Sequence, residues 1–198
     1  MSPRTDEQNA QVRDGRREQI LCAALKVFAL RGFAATKISD IAKAAGLSHG
    51  LVYHYFASKE EIFFELVHTA VYHSGKSLLM VDALPIEPIE KVRQTAKFIM
   101  DGIAAGQETS YFFLIVTHAA VMEPSPERDR HLEGSYVSVN TMTKILCEGQ
   151  QKGQVRSGDP EGMSVMFFSA IMGLAIYNIT MEGFQMPDPE LLVSMVSK

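Results

Sequence analysis

The chain has 198 residues, 46% of them apolar, which suits a packed domain or a small head on a larger body and excludes a disordered chain. The net charge of −4 excludes a protein that coats nucleic acid everywhere, but the charge is uneven: residues 1–60 carry nine Lys/Arg against six Asp/Glu, the remainder ten against seventeen. A basic head on an acidic body fits a molecule that meets phosphate with one end only.

Two isolated cysteines, Cys22 and Cys147, each sit in an apolar helical pattern. They suit buried thiols in a reducing cytoplasm, with no disulfide framework and no metal site. The first 19 residues are polar and carry no signal-peptide core, so a cytoplasmic protein is expected.

Strand signals are nearly absent and helix signals recur. Residues 1–13 read as a mobile arm carrying Arg4 and Arg13. A first helix is predicted over Arg16–Leu30, with Ile20, Ala24, Val27 and Phe28 on one face and Gly32 as its left-handed stop. A second covers Ser39–Ala45 and ends at Gly46; a short third covers His49–Tyr55. Ser58 to Glu61 forms a capping box that starts a fourth helix running to Met80.

Pro85 and Pro88 then break the chain. Further helices are predicted over Pro88–Ala105, Glu108–Met122 and Pro126–Gln151. Asp159-Pro160 and Asp188-Pro189 each supply an N-cap with proline at the first helical position, starting the eighth and ninth helices. The expected fold is therefore all-α. A division near residue 57 is expected, with a three-helix head over residues 1–57 and a six-helix body over residues 58–198.

The informative segment is Ser39 to Phe56. Two short helices flank a tight turn at Gly46-Leu47-Ser48, where Gly46 supplies a positive φ and Ser48 an N-cap. This is a helix-turn-helix pattern. On the third helix Val52, Tyr55 and Phe56 share one arc, while Gly50, Tyr53 and His54 fall on the opposite arc. An outward Tyr and His beside a Gly suit a phosphate backbone brought close to a helix N-terminus.

Residues 16–62 resemble the DNA-binding head of the TetR family. The match lies in Ile20 to Ala24, Phe28, Gly32-Phe33, Thr36, Asp40 to Ala42, Ala45 to Ser48, Gly50, Tyr53 to Phe56 and Ser58 to Glu60. The resemblance implies that Ser48, His49, Gly50 and Leu51 meet the major groove. It implies that Tyr53, His54 and Lys59 bind phosphates, with Thr36 and Ser39 adding contacts. Lys37 and Ile38 stand where a Ser or Thr cap is common, which makes Lys37 a further phosphate ligand. Direct base readout leans on Arg, Lys, Asn or Gln, so few base contacts are expected here.

Other chemistries fit poorly. Gly46 to Gly50 spells G-x-S-x-G, but that nucleophile elbow needs a strand before it. His49 and His54, like His68 and His73, are five apart and so point about 140° from one another on a helix, which is no metal set. No enzymatic activity, metal or cofactor is expected.

The body holds large flexible apolar residues with polar groups between them, the make-up of a small-molecule pocket. Candidate ligand contacts are Phe98, Tyr111, Phe112, Thr117 and His118, with Asn140, Phe168, Met172 and Tyr177 further along. Without an Arg/Lys cluster there, a lipophilic neutral or cationic ligand fits better than a multiply charged anion. Residues 162–181 run without a charge, long enough to span a bilayer. Gly162, Ser169, Gly173 and Thr180 form a small-residue stripe that suits close helix pairing instead, and no membrane partner is expected. The resemblance implies a homodimer through the last two helices, on palindromic double-stranded operator DNA, released by a small effector. The alternative is a helical small-molecule carrier with a relict head.

Overall fold

The computed structural model describes residues 6–198, with side-chain surroundings from Arg13 onward. Among the described residues ten helices follow one another: α1 (Asp6–Arg31), α2 (Ile38–Ala45), α3 (His49–Tyr55), α4 (Lys59–Asp82), α5 (Pro88–Ala104), α6 (Gln107–Ala120), α7 (Pro126–Leu132), α8 (Ser135–Gln151), α9 (Pro160–Thr180) and α10 (Pro189–Ser194). The fold is all-α; among the described residues the β pairing is one isolated bridge, Val155 with Ser197.

Most boundaries fall where local chemistry puts them. Gly32 and Gly46 adopt φ of 77° and 66° and end α1 and α2. Ser48, Ser58, Ser125, Asp159 and Asp188 each accept a backbone amide at a helix start. Glu61 reaches back one residue further than a capping box predicts, taking the amide of Ala57.

Two expected boundaries fail. The arm is already helical from Asp6, so Arg13 belongs to α1; Arg4 lies outside the described residues. The predicted helix over 126–151 breaks at Glu133-Gly134 into α7 and α8. The break is a packing event. A Cβ built on Gly134 would lie 2.7 Å from Val71 Cγ1 of α4, so only glycine lets the corner sit so close.

One core joins the head to the start of the body. Ile20, Ala24 and Phe28 of α1, Ile41 of α2, Val52 of α3 and Phe56 bury against Ile62, Phe63 and Val67 of α4 and Ile115 of α6. Phe28 meets Phe63 edge-on at 5.1 Å. A second core gathers α5, α8, α9 and α10 around Met100, Met142, Ile145, Phe167 and Ile171. The C-terminal end of α4 is pinned between these layers. Lys91, almost fully buried, donates to the carbonyl and the carboxylate of Asp82, and Lys144 donates to its other oxygen at 2.8 Å. Burial pushes the Asp82 carboxyl up, but the two ammonium groups outweigh it and hold the group below its ordinary range.

The cysteines are less sheltered than their apolar patterns predict. Cys22 is exposed and Cys147 half-buried, because Cys22 lies on the flank of α1 beside the buried ridge. Partial burial and the carboxylates of Glu108 and Glu18 push the Cys22 thiol up, which makes it a poor nucleophile.

Candidate nucleic-acid interface

α3 is held from behind and bare in front. Val52 and Phe56 are buried in the head core, and Tyr55 packs against it. His49, Gly50, Tyr53 and His54 are exposed, with Leu51 half-buried between them. Tyr53 is 49% exposed. Its ring meets that of His49 one turn earlier at 4.9 Å. A Cβ built on Gly50 would touch nothing within 4 Å, so the chain itself gives no reason for glycine there. Space in front of Gly50 is what a backbone brought close from outside would use. Ser48 Oγ caps the helix by accepting from Leu51 N at 3.2 Å, and it follows a helix and a turn.

Two fastenings set the pose of this face. Gln19 of α1 donates to the carbonyl of Ala45 at the end of α2, at 2.8 Å. Arg17 of α1 pairs with both oxygens of Glu65 on α4 and lies 4.5 Å from the centroid of Phe56, where α3 ends. The Glu65 carboxylate raises the Arg17 guanidinium further above its ordinary range, so its charge is permanent. Sequence reasoning did not find Arg17, because its partners lie 39 and 48 positions away.

The residues assigned to α2 divide. Lys37 and Ser39 are exposed. No N-cap side chain replaces the missing Ser or Thr; the Asp40 carboxylate reaches back to accept the amide of Lys37 at 3.0 Å. Thr36 is a correction: it is 1% exposed, and its hydroxyl donates to the carbonyl of Gly32 at 2.7 Å. It closes the turn after α1 and cannot reach a phosphate. Lys59 also has a structural occupation. Its ammonium donates to the carbonyls of Phe33 and Thr36 at 2.9 and 3.0 Å and lies 4.4 Å from the Phe33 centroid. Two of its three protons are thus engaged within the chain.

The candidate ligand contacts scatter. Phe98 is 68% exposed on α5, Asn140 is exposed on α8, and Tyr177 is 56% exposed on α9, stacked on Phe184 at 5.9 Å. These three line no interior. Their helices turn a neighbouring ridge inward instead: Met100, Met142 and Ile171 fill the second core. Tyr111 is buried and donates to Gln107 at 2.7 Å. Thr117 donates to the carbonyl of Phe113 and lies 3.5 Å from Met172 Sδ, which joins α6 to α9. Phe112 and Phe168 are half-buried against the two cores. His118 is half-buried with Nδ1 unpartnered.

The small-residue stripe divides too. Ser169 and Thr180 are exposed, and nothing approaches Gly173. Gly162 is a correction: its Cβ direction runs into the Asp159 carboxylate at 2.7 Å, so it serves the N-cap of its own helix. By length and apolarity alone α9 is long enough to cross a membrane, and 28% of its most apolar stretch is buried inside the chain. One side packs into the second core, and the other leaves Val165, Met166, Ile176 and Tyr177 open.

Comparison with known proteins agrees with this geometry. The profile described as "Bacterial regulatory proteins, tetR family" matches residues 20–66, which are α1 from its first core residue through the first two turns of α4. The HTH-type transcriptional repressor NicS of Pseudomonas putida is 29% identical over 161 residues, covering 79% of this chain and 73% of that protein. The ketosteroid transcriptional regulator KstR2 of Mycobacterium tuberculosis superposes with a TM-score of 0.74 at 20% identity, covering 92% of this chain and 95% of that one. AibR, solved with isovaleryl coenzyme A and operator DNA, superposes with a TM-score of 0.72 at 17% identity, covering 90% and 94%. Residues 20–66 thus match the DNA-binding head of the tetR family of bacterial regulatory proteins, and the chain as a whole shares its fold with solved regulators of that family.

Proposed function

We propose that the chain is a ligand-responsive transcriptional repressor, working in the cytoplasm without enzymatic activity, that binds a palindromic operator as a homodimer and is released by a small lipophilic molecule. The observation that carries this reading is the outward face of α3: His49, Gly50, Tyr53 and His54 exposed in front of a fully packed back. Exposed aromatic and imidazole groups beside an open glycine at a helix N-terminus suit phosphate oxygens and a groove edge. The repressor name of NicS and the effector and operator in the AibR complex support extending the reading to ligand-controlled repression.

The homodimer is supported by α9. Val165, Met166, Ser169, Gly173, Ile176, Tyr177 and Thr180 recur at helical spacing on its open side, an apolar stripe with small residues that lets a second helix approach. A twofold pair would set two copies of α3 about 34–36 Å apart, one turn of DNA.

A mobility shift with the DNA flanking the chain's own gene tests the proposal. Binding is expected, with an affinity that falls steeply as salt rises. A chain that fails to shift that DNA at low salt is not a local repressor.

A further inference from the structure

α7 is held by few groups: none of its seven residues is buried. Seven residues are too few for a helix to persist alone in water, so α7 lasts only while it is docked. Two anchors bound it. At its start Arg128 donates to the carbonyls of Ala119 and Ala120 at the end of α6, at 3.0 and 2.7 Å. Past its end the Gly134 corner lies against Val71 of α4. Between the anchors the dock is His131, stacked on Phe64 of α4 at 5.1 Å, with Leu132 beside it against the head core.

The surroundings of His131 accept a neutral ring and oppose a charged one. A neutral imidazole carries one N–H and one bare nitrogen, whereas an imidazolium carries two N–H donors. Nδ1 of His131 is buried without a hydrogen-bond partner, so a charged ring strands a donor there. His68 of α4 meets the same ring edge-on at 6.0 Å and is kept in place by its own stack on Tyr72. Two imidazolium rings at that distance repel. Of the charges on α7 itself, Glu127 favours a proton on His131 and Arg130 opposes it, while Asp129 is paired with Arg128. On α4 the Glu61 and Glu65 carboxylates are committed to the amide of Ala57 and to Arg17. α6 brings His118, next to the carbonyls that Arg128 holds. Attraction of a cation to the Phe64 face works the other way but supplies no acceptor. Burial first, and then His68, push the His131 imidazole down.

We propose that α7 is an acid-released latch, which stays docked on α4 while the His131 ring is neutral and lets go when that ring takes up a proton. Undocked, the ring regains water at both nitrogens and leaves His68. Because the docked ring titrates below its ordinary value of 6.5, docking is at full strength above that pH and weakens as pH falls from it towards the lowered docked value. One proton taken up per release limits the loss to about tenfold per pH unit. The anchors do not titrate there: Arg128 keeps its charge, and the Gly134 corner is an apolar contact with Val71. Release therefore melts α7 between two tethers and bares Phe64 on the flank of α4, a second conformation of the body selected by pH.

Hydrogen exchange of the full chain at about pH 7.5, 6.5 and 5.5 tests this, with each rate divided into the intrinsic rate at that pH. The amides of residues 129–133 are expected to lose protection by roughly three- to tenfold from the highest pH to the lowest, while those of α9 keep theirs. His131→Phe keeps a ring on Phe64 and has nothing to titrate, so its α7 protection stays flat. His68→Gln removes the neighbouring charge and shrinks the drop. Flat protection in the parent overturns the proposal. So does an equal drop in His131→Phe, or a loss at α9 in proportion to that at α7, which is general acid unfolding. If His131→Phe is already unprotected at the highest pH, His68→Gln decides: a smaller drop supports the latch, and an unchanged drop overturns it.

Discussion

Lys59→Met tests whether the lysine at the start of α4 is a fastener of the head or a phosphate ligand. The substitution keeps the stem and deletes the ammonium. In the structure that ammonium holds two carbonyls, of Phe33 and Thr36, and lies over the Phe33 ring. A hydrogen bond from a charged donor is worth about 1.5–3 kcal/mol when sheltered, and Lys59 is half-buried, so about 1 kcal/mol each is the appropriate scale. The cation over the ring adds about 0.5–1 kcal/mol. The expected loss is thus about 2–3 kcal/mol, or a Tm lower by roughly 5–10 °C in a chain of this length. The assay pairs calorimetry with a salt titration of DNA affinity. A fastener predicts the large Tm drop with the salt slope little changed. A Tm within about 1 °C of the parent, with the slope shallower by about 0.9, would mean that the ammonium neutralises one phosphate in the complex, and would refute the reasoning.

Tyr53→Phe deletes one exposed hydroxyl and leaves the ring on His49; affinity falls about fivefold on every DNA sequence, and equal affinity in a mobility shift removes Tyr53 from the interface. A Cβ on Gly173 meets nothing inside the chain, so Gly173→Leu is expected to keep the fold while pushing the second copy away. Sedimentation is expected to give a monomer, and a dimeric mass counts against the α9 interface. Asp82→Ala strands the buried ammonium of Lys91 and costs about 3 kcal/mol in urea unfolding. Because the Asp82 carboxyl is held below its ordinary value of 3.8, its contribution is complete above that pH and disappears as pH falls through the lowered folded value. The urea midpoint of the parent therefore drops on acidification in that range, and Asp82→Asn flattens the drop; a parallel drop in both chains refutes the assignment.

The head was legible because its signals are local. The Gly46 conformation, the Ser48 cap and the inward arc of Val52 and Phe56 are each decided within a few residues. The reach of Asp40 back to the amide of Lys37 was legible too, since it stands three residues after the N-cap. The body was less legible. α9 is apolar on all sides, so its pattern does not say which side is core, and Phe98 and Met100, two residues apart on α5, end in solvent and in the core. The α7–α8 break depends on Val71, 63 positions before Gly134. The meeting of His68 with His131 depends on the same corner and has no local trace.

Helix α4 is held at both extremities by cations that grip oxygen atoms: Lys59 on the carbonyls of the head, and Lys91 and Lys144 on Asp82 in the body. Its 24 residues span about 36 Å. Ends that cannot slip make it a lever whose output is set by its length. A tilt of about 5° about the Asp82 end carries the Lys59 end through about 3 Å, close to the rise of two helical residues. A displacement too small to disturb the packing of the body is thereby large enough to spoil the fit of α3 in a groove.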